Sequence, residues 1–70
     1  MTHEEIGAFI RQRRETLLLN QEDLSEMAGI TSKTIYAVEK GKGNPSLHTL
    51  QKLLSILGLE IHILIKRIEE

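Results

Sequence analysis

The chain has 70 residues, a formal net charge of −1 and no cysteine. A chain of this length forms one small domain with little net stability, which association with a second chain commonly supplements. The absence of cysteine excludes a disulfide framework and a thiolate metal site, and no apolar run is long enough to cross a bilayer. The first residues also lack the apolar run of a signal peptide, so we expect a cytoplasmic protein with no membrane partner.

Four helices are predicted in chain order, because each stretch with a helical apolar period follows a residue that can cap it. The capping signals are Thr2 with Glu5, Asn20 with Asp23, Thr31 or Ser32, and Ser46. Gly29, Gly41 and Gly58 predict the ends of the second, third and fourth helices, because glycine accepts the left-handed conformation that ends many helices. The turn-rich stretch "GKGNP" separates the third helix from the fourth.

The periodic positions of these helices predict the core. The stripe of the first helix runs through Ile6, Phe9, Ile10, Arg13 and Leu17. The second and third helices are expected to turn inward Leu24, Ala28, Ile30, Ile35 and Val38. The corresponding face of the fourth helix is formed by Leu47, Leu50, Leu53, Leu54 and Leu57. The main part of the chain is therefore expected to be all-helical.

The stretch "LEIHILIK", residues 59–66, differs from the rest because its apolar residues recur at every second position, which is typical of a half-buried β-strand. A lone strand leaves backbone N–H and C=O groups unpaired. It can fold back on the helices, pair with the same strand of a second copy, or join the sheet of a different protein. Pairing between two copies is favoured, and the predicted dimerisation residues are Leu59, Ile61, Ile63, Leu64 and Ile65.

Residues 21–39 form a short helix, a tight turn at Gly29 and a second helix, which is the spacing of a helix-turn-helix motif. In this motif the second helix enters the DNA major groove. The charge distribution alone is consistent with two interpretations of the folded surface. Basic residues cluster at 11–14 and 33–42, which suits either a basic face or a mixed solvated surface.

The string "NQEDLSEMAGITSKTIYAVEKGKGNPSLHTLQKLLSILG" resembles the helix-turn-helix domain of the Xre/Cro/CI repressor family, and the resemblance covers residues 6–58. It rests on "QEDL", "GIT", "TIYAVEKG" and "NPSLHTL" at fixed spacings. It implies a mainly α fold with four to five helices over residues 1–58. One C-terminal β-strand over residues 59–68 is expected to follow and to form an intermolecular antiparallel ribbon.

The resemblance also implies roles for single residues. The predicted base-reading residues are Ser32, Lys33, Tyr36 and Ala37, and the predicted phosphate contacts are Gln21, Arg11, Arg13, Thr34, Lys40 and Lys42. Lys33 is expected at a guanine edge, with a phosphate contact or a solvated lysine as alternatives. Gln21 is also expected to buttress the start of the recognition helix. Arg14 and Glu39 are expected to form a structural ion pair, and Leu18 stands where the family often has glycine.

The expected function is sequence-specific DNA binding by a homodimer, as a repressor on a palindromic operator. The strand after "LGLE" also resembles HipB-type antitoxins, which adds a HipA-type kinase toxin as a partner if this resemblance holds. The rival is a protein–protein adaptor that keeps the fold without binding DNA. The scattered histidines and the lack of a catalytic grouping predict no metal, no cofactor, no catalytic residue and no enzymatic activity.

Overall fold

The computed structural model describes residues 1–67, and within them it contains four α-helices. Their bounds are α1 His3–Thr16, α2 Gln21–Ala28, α3 Ser32–Glu39 and α4 Leu47–Ile56. The predicted capping residues Thr2, Asn20, Thr31 and Ser46 precede the four helices. Each cap accepts a hydrogen bond from a backbone N–H in the first turn, an arrangement that stabilises a helix by about 1 kcal/mol. The four predicted helices are confirmed.

The ends of α1 and α4 have the same hydrogen-bond pattern. They differ in the residue that adopts the left-handed backbone conformation after the helix. After α4, Gly58 has φ +71°, and the next N–H donates back to the carbonyl of Leu54 at 2.8 Å. After α1, Leu18 takes the equivalent position with φ +60°, and the next N–H donates to the carbonyl of Arg14 at 3.1 Å. A side chain is strained there because its Cβ crowds the following carbonyl oxygen. The turn between α1 and α2 therefore forms without the glycine that would relieve this strain.

The core lies where α3 meets α1 and where α2 meets both α3 and α4. Its buried hydrophobic residues are Ile10, Leu24, Ala28, Ile35, Val38, Leu53 and Leu57. All seven are predicted inward positions, and four further predicted positions are partly buried against them, namely Ile6, Ile30, Leu50 and Leu54. Phe9, Leu17 and Leu47 are instead exposed. The buried positions of α1 follow the spacing of residues 7, 10 and 14, so Phe9 lies on a different side of the helix, whereas Leu17 is the C-cap residue and lies beyond the last helical residue, Thr16. Leu47 is the first residue of α4 and projects beyond the packed part of that helix.

Gly7 allows α1 to lie directly against the backbone at the end of α3. A Cβ at this position would overlap the carbonyl oxygen of Val38 and stand 2.7 Å from that of Glu39. Nothing in the sequence around Gly7 predicts this close approach. This contact places α1 over the last turn of α3.

The segment after α4 carries no strand hydrogen bonds in the single chain as far as residue 67. Leu59 packs against the core, whereas Ile63 and Ile65 are 93% and 99% exposed. Folding back on the helices, one of the predicted alternatives, therefore applies only to the start of the segment. The last residue of the predicted strand, Ile68, lies outside the described residues. No helix within residues 1–67 is both long and apolar enough to cross a membrane.

Candidate nucleic-acid interface

The recognition helix α3 has one buried and one exposed side. Gly29, at φ +69°, turns the chain between α2 and α3. Ile35 and Val38 anchor α3 in the core. Three of the residues predicted to contact DNA are exposed on α3 or at its end, namely Lys33, Tyr36 and Lys40, whereas Ser32 and Ala37 are half-buried. The exposed side therefore offers two ammonium groups and a phenol to a ligand.

The start of α3 holds a pair of threonine hydroxyls. The hydroxyl of Thr31 accepts from the Thr34 backbone N–H at 3.2 Å and lies 2.9 Å from the Thr34 hydroxyl. Thr34 is half-buried, and its hydroxyl is engaged with the cap. Its predicted phosphate contact stays a prediction, and it would use a hydroxyl that already has one protein partner.

A buried ion pair fixes the end of α3 against α1. The Arg14 guanidinium donates to both carboxylate oxygens of Glu39, with Nε to Oε2 at 2.7 Å and Nη2 to Oε1 at 3.0 Å. Its remaining nitrogen, Nη1, donates to the carbonyl of Leu19 at 2.7 Å, so the pair also holds the turn between α1 and α2. The pKa of Arg14 is raised, because the hydrogen bonds to Glu39 favour the charged form more strongly than burial opposes it. Removing one partner from such a buried pair typically destabilises a protein by about 3–5 kcal/mol.

Gln21, the first residue of α2, joins this network. Its side-chain Nε2 donates to Glu39 Oε1 at 3.1 Å. The expectation that Gln21 buttresses the start of the recognition helix is wrong, because its side chain reaches the last residue of α3 instead. Its amide carries a second N–H, so the predicted phosphate contact stays open.

The two predicted arginine contacts lie on different sides of α1. Arg11 borders a cleft with Tyr36 and Lys40, and its guanidinium lies 3.6 Å from the exposed Glu15. Arg13 instead donates from Nε to the carbonyl of Leu57 at 2.8 Å, across the end of α4. Residues two apart on a helix point in nearly opposite directions, and the phosphate contact predicted for each arginine stays a prediction. The structure groups Arg11 with the recognition helix and gives Arg13 a capping role.

The basic residues after α3 extend the same surface. The Lys40 ammonium stands 5.6 Å from the ring centroid of Tyr36, which is within the range of a cation–π contact. Lys42 is exposed, and its backbone N–H donates to the carbonyl of Ala37 at 2.8 Å, which keeps the loop against α3. Residues 1–67 hold no group of three or more side chains suited to a metal ion. We refer to Arg11, Lys33, Tyr36, Lys40 and Lys42 as the basic face.

Comparisons with known proteins agree with this geometry. The helix-turn-helix family model matches residues 10–64. An HTH-type transcriptional regulator of Methanothermobacter thermautotrophicus is 45% identical over 52 residues, which is 74% of this chain and 75% of that protein. The HTH-type transcriptional regulator PuuR of Escherichia coli is 34% identical over 55 residues, 79% of this chain and 30% of that protein. Among solved structures, the restriction-modification controller protein C.AhdI from Aeromonas hydrophila has a TM-score of 0.78 and 31% identity, covering 83% of this chain and 88% of that one.

Proposed function

The chain belongs to the helix-turn-helix family of transcriptional regulators, and on this premise we propose that it is a dimeric repressor of a palindromic operator. The observation that carries the proposal is the exposed basic face on a recognition helix whose other side is anchored by the Arg14–Glu39 pair. A helix held this firmly can present its side chains to base edges without losing much conformational freedom on binding. Lys33 is assigned to base contact and Lys42 to the phosphate backbone.

Dimerisation is supported by the exposed C-terminal segment. Ile63, Leu64 and Ile65 are each more than four-fifths exposed in the single chain, at 93%, 84% and 99%. Consecutive exposed apolar residues with unpaired backbone groups favour pairing with another strand. A ribbon formed by two copies of this segment would join two recognition helices about a two-fold axis, as a palindromic operator requires.

Selection of bound duplexes from a random pool tests the twofold geometry. We expect an inverted repeat whose half-sites are centred about 34–36 Å apart, or one helical turn. A bound dimer would then exclude other proteins from that stretch of DNA, which is how repression is expected to act. Enrichment of a single unrepeated motif, or of no sequence at all, would contradict the proposal.

Substitution of Lys33 tests the base contact. Lys33→Ala should weaken binding to the selected operator by about 1–3 kcal/mol per subunit, because a good base contact has this value, and should weaken binding to random DNA much less. Fluorescence anisotropy with the two duplexes measures both affinities. Lys52→Ala is the matched control, because this exposed lysine lies on α4 and not on the basic face. Equal losses on operator and random DNA would reassign Lys33 to a phosphate contact.

Substitution of Lys42 tests the phosphate contact. Each phosphate neutralised changes the slope of log affinity against log salt by about 0.9. Lys42→Ala removes one contact from each subunit, so the slope for the dimer should become shallower by about 1.8. Sequence preference should stay unchanged. An unaltered slope would place Lys42 away from the DNA.

The antitoxin role rests on the sequence resemblance of the C-terminal segment alone. Co-purification of the chain with a HipA-type kinase encoded beside it would support this role, and a free regulator would purify without one. Salt-independent failure to bind any duplex would instead favour the adaptor function.

A further inference from the structure

The C-terminal segment has two chemically different faces. One face is apolar and consists of Leu59, Ile61, Ile63 and Ile65. The other carries Glu60, His62, Leu64 and Lys66. The His62 Nε2 lies 3.0 Å from Glu60 Oε2, which shows that these two side chains project from the same side of the extended chain. Beyond Leu59 the apolar face becomes progressively exposed in the single chain, from 44% at Ile61 to 93% at Ile63 and 99% at Ile65.

Symmetry restricts how two copies of this segment can pair. Residues directly opposite each other in an antiparallel ribbon lie on the same face. Two identical strands can satisfy this rule about a two-fold axis only if the axis passes beside one residue, and not between two residues. Each choice of that central residue gives one register with its own set of opposed side chains.

We propose that Ile63 lies beside the axis, which sets Glu60 of each subunit opposite the partner's Lys66. This inference rests on the proposed dimeric function and names the register of its ribbon. The same register sets Ile61 opposite the partner's Ile65 and Ile63 opposite the partner's Ile63, so the apolar face is continuous across both strands. The partner that pairs with the exposed segment is therefore a second copy of this chain, and two symmetry-related ion pairs favour this pairing.

The neighbouring registers are less favourable. With His62 at the centre, two imidazoles face each other and Glu60 is opposite the partner's Leu64. With Leu64 at the centre, His62 faces the partner's Lys66, which opposes two basic groups. With Ile61 at the centre, Glu60 meets the partner's His62, but the ladder becomes shorter and leaves Ile65 unpaired. Among these registers, only the one centred on Ile63 both pairs opposite charges and keeps Ile61, Ile63 and Ile65 inside the ribbon.

Charge reversal tests the ion pairs. Glu60→Lys and Lys66→Glu should each weaken the homodimer by about tenfold or more, because each converts two attractive cross-strand pairs into two repulsive ones. An equimolar mixture of the two variants should form a heterodimer at least as tight as the wild-type dimer, since all its pairs are attractive again. Sedimentation equilibrium in low salt measures the dissociation constants. Glu26→Lys, the same change on the exposed surface of α2, is the control and should leave dimerisation unchanged.

Cysteine substitution tests the register independently, because the chain has no cysteine of its own. Residues opposite each other have Cβ atoms about 4.5–5.5 Å apart, close enough for a disulfide after small adjustments. Ile63→Cys should therefore cross-link the dimer under mild oxidation faster than Ile61→Cys, His62→Cys or Leu64→Cys.

The outcomes separate the register from the proposed function. If the wild-type chain dimerises and binds an inverted repeat, but another position cross-links fastest or only Glu60→Lys weakens the dimer, the Ile63-centred register is overturned and the dimeric repressor stands. If the wild-type chain is monomeric at micromolar concentration and also on operator DNA, both fail. Preferential heterodimer formation together with fastest cross-linking at position 63 supports the register.

Discussion

Replacing Leu18 with glycine should stabilise this protein, although most substitutions destabilise. Leu18 holds φ +60° at the end of α1 and is 90% exposed. A side chain in the left-handed region costs about 1–2 kcal/mol, whereas glycine adopts it freely. Glycine also lowers the stability by about 0.5–1 kcal/mol, because it increases the conformational entropy of the unfolded chain. Leu18 buries almost nothing, so the difference between these two terms lies between about 0 and 1.5 kcal/mol. We expect Leu18→Gly to raise the free energy of unfolding by the middle of this range, about 0.5–1 kcal/mol.

Thermal and urea unfolding followed by circular dichroism measure this change. In a domain of 60–100 residues, 1 kcal/mol raises Tm by about 4–8 °C, so the expected increase is about 2–8 °C. Samples must be compared at equal chain concentration, because the proposed dimerisation would make Tm depend on concentration. Leu18→Ala is the control, since it removes the side chain but keeps the Cβ and the strain. If Leu18→Gly is no more stable than Leu18→Ala, backbone strain at this turn is not what limits stability.

Three further predictions follow from the packing and charges of α1. Gly7→Ala should destabilise the fold by about 2 kcal/mol or more in urea unfolding, because the new methyl group overlaps the backbone of α3; a neutral result would refute the close approach. Glu39→Leu should destabilise by about 3–5 kcal/mol, because it leaves the Arg14 charge buried and unpaired. The double variant Arg14→Met/Glu39→Leu should recover part of that loss in the same assay, and failure to do so would show that the charge is not the cause. The pKa of Glu5 is lowered from its ordinary 4.5 by hydrogen bonds from the Thr2 backbone and hydroxyl. The contribution of Glu5 to stability is therefore fully present above its ordinary pKa of 4.5. It is lost as the pH falls through the lower pKa of the folded state. Amide protection factors in the first turn of α1, which are corrected for the intrinsic pH dependence of exchange, should fall over this range in the wild type, and an equal fall in Glu5→Gln would contradict this assignment.

Helix bounds could be predicted from the sequence because their signals are local. Thr2 and Asn20 cap helices whose third residues return a hydrogen bond, so a spacing of three residues is enough to identify each start. Gly29 and Gly58 mark helix ends for an equally local reason, since few other residues accept a left-handed backbone. The Arg14–Glu39 pair was expected only from the family resemblance. Local patterns alone would have left both residues as ordinary surface charges.

By itself the sequence determined the four helices, the helix-turn-helix spacing and the alternation of the last segment. The tertiary structure decided which side of α1 faces the recognition helix, and so it separated Arg11 from Arg13 and buried Gly7. It also directed Gln21 to the end of α3 rather than its start. These outcomes depend on the angles and distances at which helices cross, and those are set by contacts between residues far apart in the chain. The helical period of the sequence predicts which side chains share one face of a helix. Only the packing of the helices decides which residues of other helices that face contacts.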